Sequence, residues 1–501
     1  MKSNVFSIAL AAFYPILVIV EANINEIIFV DIIIPVLSSI ILSYGVYFVF
    51  KKITSDSQKS FLLTIIFIIF FFYYGFFYNN FFAGIHIGEV TVGRHRFFLP
   101  IWVSTFFLLF FLILKHGKNI AKFLSFFKYL LVFLTTYLVI SISVNSYSIS
   151  DNTNTRKNHS LANKNNLPSS DPEKPDIYYI IFDGYASKST LKDIYGFDNS
   201  TFLNQLSDIG FDINNNSFAN HSYTYLSLSS SLNMIYMNWL GEDNSNTNTR
   251  KIGETIGENK VAKILKNYGY KYVTFDSGYS TSSKSKIADR KVSCATFSEF
   301  DRAIIKNSIL DPFFLYGGVR NLVLCQFNEL INIAKEKNLS PKFVFTHIVS
   351  PHPPFVFKKD GSNASINNGL NPWSDRRAYV EQLQFINKRI VETIKEIIKN
   401  SESMPIIILQ SDHGPASSGT EEMLNPSDEL LKERMKILYA VYGPSGVKSN
   451  LAKNNSPVNI FRIILSELFG EKFEILDNRS FFTPIGQEKI TFKDITNKIK
   501  N

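Results

Sequence analysis

The chain has 501 residues, 46% of them hydrophobic and 46 of them Phe, with a formal net charge of +9. A mean hydropathy of +0.04 is too apolar for an ordinary soluble protein, and the length leaves room for more than one domain. The positive balance comes without a basic stripe interleaved with aromatics, which argues against nucleic acid and for an anionic membrane surface or lipid head group as partner.

The apolar excess sits in roughly the first 145 residues, as five stretches at about 5–21, 27–50, 60–82, 98–114 and 124–143. Each is near the roughly 20 residues that cross a bilayer. The first has no small-residue cleavage site after it and four more spans follow, so it reads as a helix rather than a signal peptide. Lys51, Lys52 and Lys59 follow the second stretch, and Lys115, Lys118 and Lys122 follow the fourth. The positive-inside bias puts both loops in the cytoplasm, with Arg94 and Arg96 a smaller contrary signal. The loop carrying Glu21 and Glu26 then lies outside, as does everything after Val144. The expected layout is a five-helix transmembrane domain over 1–145, a linker over 146–175 and an extracytoplasmic domain over 176–501. Multi-pass insertion in a bacterial inner or plasma membrane follows, with the outer domain facing the periplasm or the outside. Cys294 and Cys325 both fall in that outer domain, where the redox environment allows one disulfide.

Residues 150–175 are rich in Asn, Ser, Asp, Lys and Pro and lack apolar periodicity, as a flexible linker does. Beyond it, helical spacing at 201–209 and 260–268 alternates with strand patterns at 270–275 and 343–345. A long amphipathic helix over 378–399 leads into a strand at 405–409, followed by a strand at 437–442 and a helix at 458–468. Strands alternating with helices predict an α/β domain with a mainly parallel sheet.

Two apolar strands end in acidic residues. Ile177–Phe182 leads into Asp183-Gly184, and the run 405–409 leads into Ser411-Asp412-His413-Gly414. In open α/β sheets the carboxyl ends of strands are where ligands bind. Asp and His delivered together there suit zinc or manganese. Thr224, in the segment Asn220–Leu228, sits where a helix begins; it reads either as an N-cap or as a hydroxyl placed at an anion-binding helix terminus. A divalent cation held by Asp183, Asp412 and His413 would activate that hydroxyl and neutralise a phosphoryl oxygen. The segment 345–355 supplies His347 and His352. His352 lies between prolines in a stiff loop suited to protonating a leaving group, and His347 reads equally as a core histidine.

Asp183-Gly184-Tyr185, the Thr224-x-x-Ser227-Leu228 helix start, His347–Phe355 and Ser411–Gly414 together resemble the sulfatase-like hydrolase/transferase branch of the alkaline phosphatase superfamily. Gly443-Pro444 and Pro457–Ile460 resemble it too, so the likeness covers roughly 175–480. Apolar spans before an outer catalytic domain are similar to lipoteichoic acid synthases and phosphoethanolamine transferases. The resemblance implies an alkaline-phosphatase-like sheet with flanking helices. It also implies one metal held by Asp183, Thr224, Asp412 and His413, with Thr224 as nucleophile and a phospho-threonine intermediate.

Several departures narrow this. No Cys/Ser-x-Pro-x-Arg sulfatase motif surrounds Thr224, which disfavours sulfate ester hydrolysis. Leu226 stands where the transferases often have Pro, and Asp183 where they usually have Glu, closer to nucleotide pyrophosphatases. No histidine follows His413, so one metal is expected rather than two. The leading expectation is a transferase that moves phosphoglycerol or phosphoethanolamine from a phospholipid donor to a glycan or lipid acceptor. A phosphate or sulfate ester hydrolase on the same site is the alternative, and a non-catalytic envelope binding protein the second alternative.

Overall fold

A computed structural model describes residues 2–24, 29–83, 85–87, 90–116, 121–151, 174–241, 249–279, 282, 285–337, 340–364, 371–419, 423–454, 456–484 and 490–500. Most of the expected linker, 152–173, lies outside the described residues. The chain divides into two compact units. The first comprises residues 1–154, 297–318 and 367–370; the second comprises 155–296, 319–366 and 371–501.

In the first unit the apolar stretches form helices Lys2–Ala22, Phe29–Thr54, Ser57–Phe72, His95–His116 and Ala121–Asp151. Three contain segments long and apolar enough to cross a membrane: Val30–Thr54, His95–Lys115 and Leu124–Val144. The third stretch is broken. Ser57–Phe72 and Tyr74–Phe82 meet at 52°, and the pair counts as at most one further span. The apolar part of the first helix, Phe6–Ala22, is shorter, with Ile8, Ala12 and Ile16 fully buried against its neighbours. All five expected apolar stretches are helical, and by length and composition three of them, or four with the bent pair, are long enough to span among the described residues.

The break coincides with a tertiary contact. The segment 297–318 belongs to this unit, and its helix Glu299–Asn307 ends against Gly75, where a Cβ would overlap the Lys306 carbonyl. Ile309 N–H also donates to the Phe71 carbonyl at 2.8 Å. A straight helix through Tyr73 would leave no room for that backbone.

The second unit is built on a seven-stranded sheet. Its strands are β1 (Ile177–Phe182), β2 (Asp212–Ile213), β3 (Lys271–Asp276), β4 (Arg290–Ser293), β5 (Lys342–Ile348), β6 (Ile406–Ser411) and β7 (Tyr439–Tyr442). The spatial order is β2-β7-β6-β1-β5-β3-β4, and only β7 runs against the others. This is the mainly parallel, alkaline-phosphatase-like sheet with flanking helices that the resemblance implies. Strands β1, β5 and β6 are buried along their whole length, as a parallel sheet covered on both faces requires. On one face Tyr179, Phe345 and Ile408 pack with Leu228, Leu265 and Phe461 of three helices. On the other, Phe182 stacks on Phe327 of the helix Asp311–Lys335. That 25-residue helix escapes a periodicity reading because its apolar residues run consecutively, at 313–315 and 322–324, instead of forming one stripe. Cys294 and Cys325 form a disulfide with their Cα atoms 5.6 Å apart.

The register sets up the site. Phe182 at the end of β1 lies opposite Ile348 of β5 and Ser411 of β6. The residues that follow, Asp183 and Asp412, therefore leave the sheet side by side.

Candidate metal and active site

Asp183, Asp412 and His413 are all buried, and one ligand atom from each falls within 4.8 Å of the others. Their placement is over-determined by backbone contacts. Ser411 Oγ accepts from Tyr185 N–H at 2.8 Å and donates to the carbonyls of Phe182 and His413 at 2.7 and 2.6 Å. Asp412 Oδ1 accepts from the N–H groups of Gly184 and His413, at 3.2 and 2.8 Å. Gly184 has φ +72°, and a Cβ there would press into the Trp373 ring. A Cβ on Gly414 would overlap the Glu433 carbonyl. Both positions demand glycine, the first for conformation and the second for close approach.

The other carboxylate oxygens, Asp183 Oδ1 and Asp412 Oδ2, are buried with no hydrogen-bond partner. His413 Nδ1–H donates to the Gly414 carbonyl at 3.0 Å. This fixes the tautomer and leaves the Nε2 lone pair facing inward. Nε2 then lies 3.3 Å from Asp412 Oδ2 and 3.8 Å from Asp183 Oδ1. Two orphaned carboxylate oxygens and an imidazole lone pair turned towards one another repel unless a cation stands among them. The donor set of two oxygens and one nitrogen fits zinc or manganese.

Thr224 completes the cluster. It is the first residue of the helix Thr224–Asn233, after the N-cap Tyr223, so the N-cap reading of Thr224 does not hold. Its Oγ1 lies 3.1 Å from His413 Nε2, the hydroxyl donating to the imidazole lone pair. Ser227 Oγ donates to the Asp412 carbonyl at 2.7 Å and ties this helix to the end of β6.

His347 is buried, with Nε2 3.3 Å from Asp183 Oδ2 and Nδ1 3.0 Å from Ser282 Oγ. It contacts a ligand residue. His352 is held differently: its backbone N–H donates to the Asp183 carbonyl at 3.0 Å. Its Nδ1–H donates to the Pro353 carbonyl at 2.6 Å, and its ring meets Trp373 edge-on at 4.8 Å. The Pro353 carbonyl thereby engages Nδ1, not Nε2. His221 does not join the site although it is only three residues from Thr224. Its Nε2 accepts from Met237 N–H at 3.1 Å, its ring stacks on Phe481, and burial pulls its pKa down to about 3.

The two carboxyls titrate apart. Burial pushes Asp412 up to about 7, helped by the negative charge of Asp183. Burial opposes ionisation of Asp183 too, but the neighbouring imidazoles, His352 first and then His347, outweigh it and hold that carboxyl below the ordinary range. His413 is held well below its usual value by burial and then by the Arg434 charge, so it is neutral and able to ligate.

Arg434 is the residue that sequence reading missed. It is buried in the helix Asp428–Met435, where Nε donates to the Ser222 carbonyl at 2.9 Å and Nη1 to the Gly414 carbonyl at 2.8 Å. One guanidinium thus joins the Thr224 loop to the Asp412-His413 loop. No local pattern around Glu433-Arg434 signals this.

No curated protein matches the chain. Among solved structures, the C-terminal periplasmic domain of EptC from Escherichia coli is 14% identical, with a TM-score of 0.40 over 64% of this chain and 93% of that one. The integral membrane lipooligosaccharide phosphoethanolamine transferase A from Neisseria meningitidis is 12% identical, with a TM-score of 0.42 over 92% and 95%. The lipoteichoic acid synthase LtaP from Listeria monocytogenes is 15% identical, with a TM-score of 0.39 over 62% and 78%. A family model described as Sulfatase matches residues 175–470, more than half of the chain. The chain therefore belongs to the sulfatase family, and it is an enzyme of the sulfatase-like class within the alkaline phosphatase superfamily.

Proposed function

We propose that this protein is a membrane-anchored, metal-dependent phospho-group transferase with Thr224 as its nucleophile. It would move phosphoglycerol or phosphoethanolamine from a phospholipid donor to a glycan or lipid acceptor outside the cytoplasm. The observation that carries this reading is the Thr224 hydroxyl 3.1 Å from His413 Nε2, at a helix terminus and beside two orphaned carboxylate oxygens. Asp183, Asp412, His413 and Thr224 would hold one zinc or manganese ion, which when bound supplies positive charge to lower the threonine pKa and to neutralise a phosphoryl oxygen.

In the first half-reaction Thr224 Oγ gives its proton to water and attacks phosphorus. A P–Oγ bond forms as the bond from phosphorus to the lipid oxygen breaks. His352 Nε2 is the candidate acid that gives its proton to that departing oxygen, and His347 positions Asp183. In the second half-reaction an acceptor hydroxyl attacks the phospho-threonine, and a bond from phosphorus to the acceptor oxygen forms as the P–Oγ bond breaks. The acceptor's proton passes to His352 Nε2, and Thr224 Oγ takes back a proton from water. The chain's three long apolar helices support placement in a bilayer, where a lipid donor is at hand.

The test uses the full chain in nanodiscs with a head-group-labelled phospholipid. Wild type is expected to become labelled at Thr224 and to pass the label to an acceptor. A Thr224→Ala variant with full transfer activity would sink the mechanism. Release of the label only to water, whether or not a glycan acceptor is present, would favour the hydrolase alternative.

A further inference from the structure

The segment 297–318 is inserted between two stretches of the second unit yet packs with the first, and it does so at one end of every apolar helix. Phe300 is buried among Ile16, Leu17 and Val20, near the end of the first helix, and Leu138 and Ile142, late in the last. Ile309 bonds to Phe71, and Lys306 lies against Gly75, at the break of the third stretch. The buried carboxylate of Asp311 pairs with His95 Nε2 at 3.6 Å, where the helix His95–His116 begins. These sites are the ends of the first and fifth stretches, the start of the fourth and the break in the third. In an alternating arrangement of spans the ends of the first and fifth and the start of the fourth lie on one side of the membrane, the side opposite the loops carrying Lys51, Lys52, Lys59 and Lys115.

Two and three residues beyond Asp311 come Phe313 and Phe314, 65% and 48% exposed. Two or three residues of α-helix advance only about 3–4.5 Å. Both rings therefore stand close to the level of His95, where the same apolar helix exposes Phe97 and Ile101 outward. Arg94 and Arg96 flank that level, and Lys306 ends the insert's first helix. Adjacent exposed aromatics with basic neighbours, at the end of a bundle of apolar helices, have the make-up of a segment lying in a membrane interface.

We propose that residues 299–314 form a membrane-surface element whose Phe313 and Phe314 rings enter the outer-leaflet boundary between head groups and acyl chains. This rests on the reading of the apolar helices as membrane-embedded, and the controls separate the two. Both native cysteines are in the disulfide, so single spin labels can be placed at Phe313→Cys, Phe314→Cys, Phe107→Cys and Leu424→Cys. Phe107 is 60% exposed near the middle of the helix His95–His116 and Leu424 is 51% exposed in the second unit.

The full-length variants are reconstituted in nanodiscs of phosphatidylglycerol and phosphatidylcholine. Accessibility to oxygen and to a water-soluble nickel complex is then read by electron paramagnetic resonance. The labels at 313 and 314 are expected to gain oxygen accessibility and lose nickel accessibility relative to 424, at a depth of roughly 5–10 Å, shallower than 107. If they match 424, or are shielded from both reagents as under a protein partner, the proposal is overturned. If 107 also matches 424, the membrane reading itself fails.

Discussion

Arg434 and His413 donate to the same carbonyl oxygen, that of Gly414, at 2.8 and 3.0 Å. The imidazole bond sets which ring nitrogen faces the site, and the guanidinium bond sets where that carbonyl stands. The second arm of Arg434, on Ser222, holds the loop leading to Thr224. Thr224 and His413 are therefore both located by one buried cation.

Arg434→Lys keeps the charge but has no fork to reach both carbonyls. Losing one charge-assisted bond of about 1.5–3 kcal/mol is expected to lower kcat about 10–100-fold. Metal content and KM should stay close to wild type. An unchanged kcat would show that either loop is held without the arginine.

Removing donors should empty the metal site. The double variant Asp412→Ala with His413→Ala is expected to lose about one equivalent of zinc or manganese, measured by elemental mass spectrometry on protein prepared without chelators. Equal metal in wild type and variant would place the ion elsewhere.

The raised Asp412 carboxyl has a stability consequence with a definite sign. Its ordinary value is 3.8 and burial in the metal-free fold pushes it to about 7. Between about pH 4 and pH 7 the unfolded chain has released a proton that the folded chain still holds, so this carboxyl's share of the stability falls as pH rises through that window. The lowered imidazoles of His413 and His221 work the other way below their ordinary value of 6.5. The Asp412 share is therefore read by difference: in metal-free protein, Asp412→Asn should shift the melting-temperature gap between pH 5 and pH 7.5 in favour of pH 7.5. A gap of the same size in the variant would assign the dependence to other groups.

The Cys294–Cys325 bridge closes a 31-residue separation. By loop-closure entropy it contributes about 3–4 kcal/mol. Replacing both cysteines with serine is expected to lower the urea midpoint of the second unit's transition in the full chain while leaving the metal content of folded protein unchanged. An unaltered midpoint would mean that the unfolded chain gains little freedom from the loss of the bridge.

Much of the site was legible because its signals are local. The strands carrying Asp183 and Asp412-His413 are continuous apolar runs, and a fully buried parallel strand must be such a run whatever surrounds it. The helix start at Thr224 and the glycines after both aspartates are local too. Other features arise between residues far apart in the chain. Periodicity within a window could not show Arg434 reaching Ser222, 212 positions away, or His347 turned onto Asp183. The number of spans was open for the same reason, since the bend at Tyr73 coincides with a contact to the backbone of residues 306–309. The amino-acid sequence by itself determined the strands, the apolar helices and the identity of the donor side chains, because propensity and burial act within a few residues. Only the tertiary structure decided which nitrogen of His413 faces the site, which cation braces it and which end of the helices receives the insert, because each depends on contacts made through space after the chain has closed on itself.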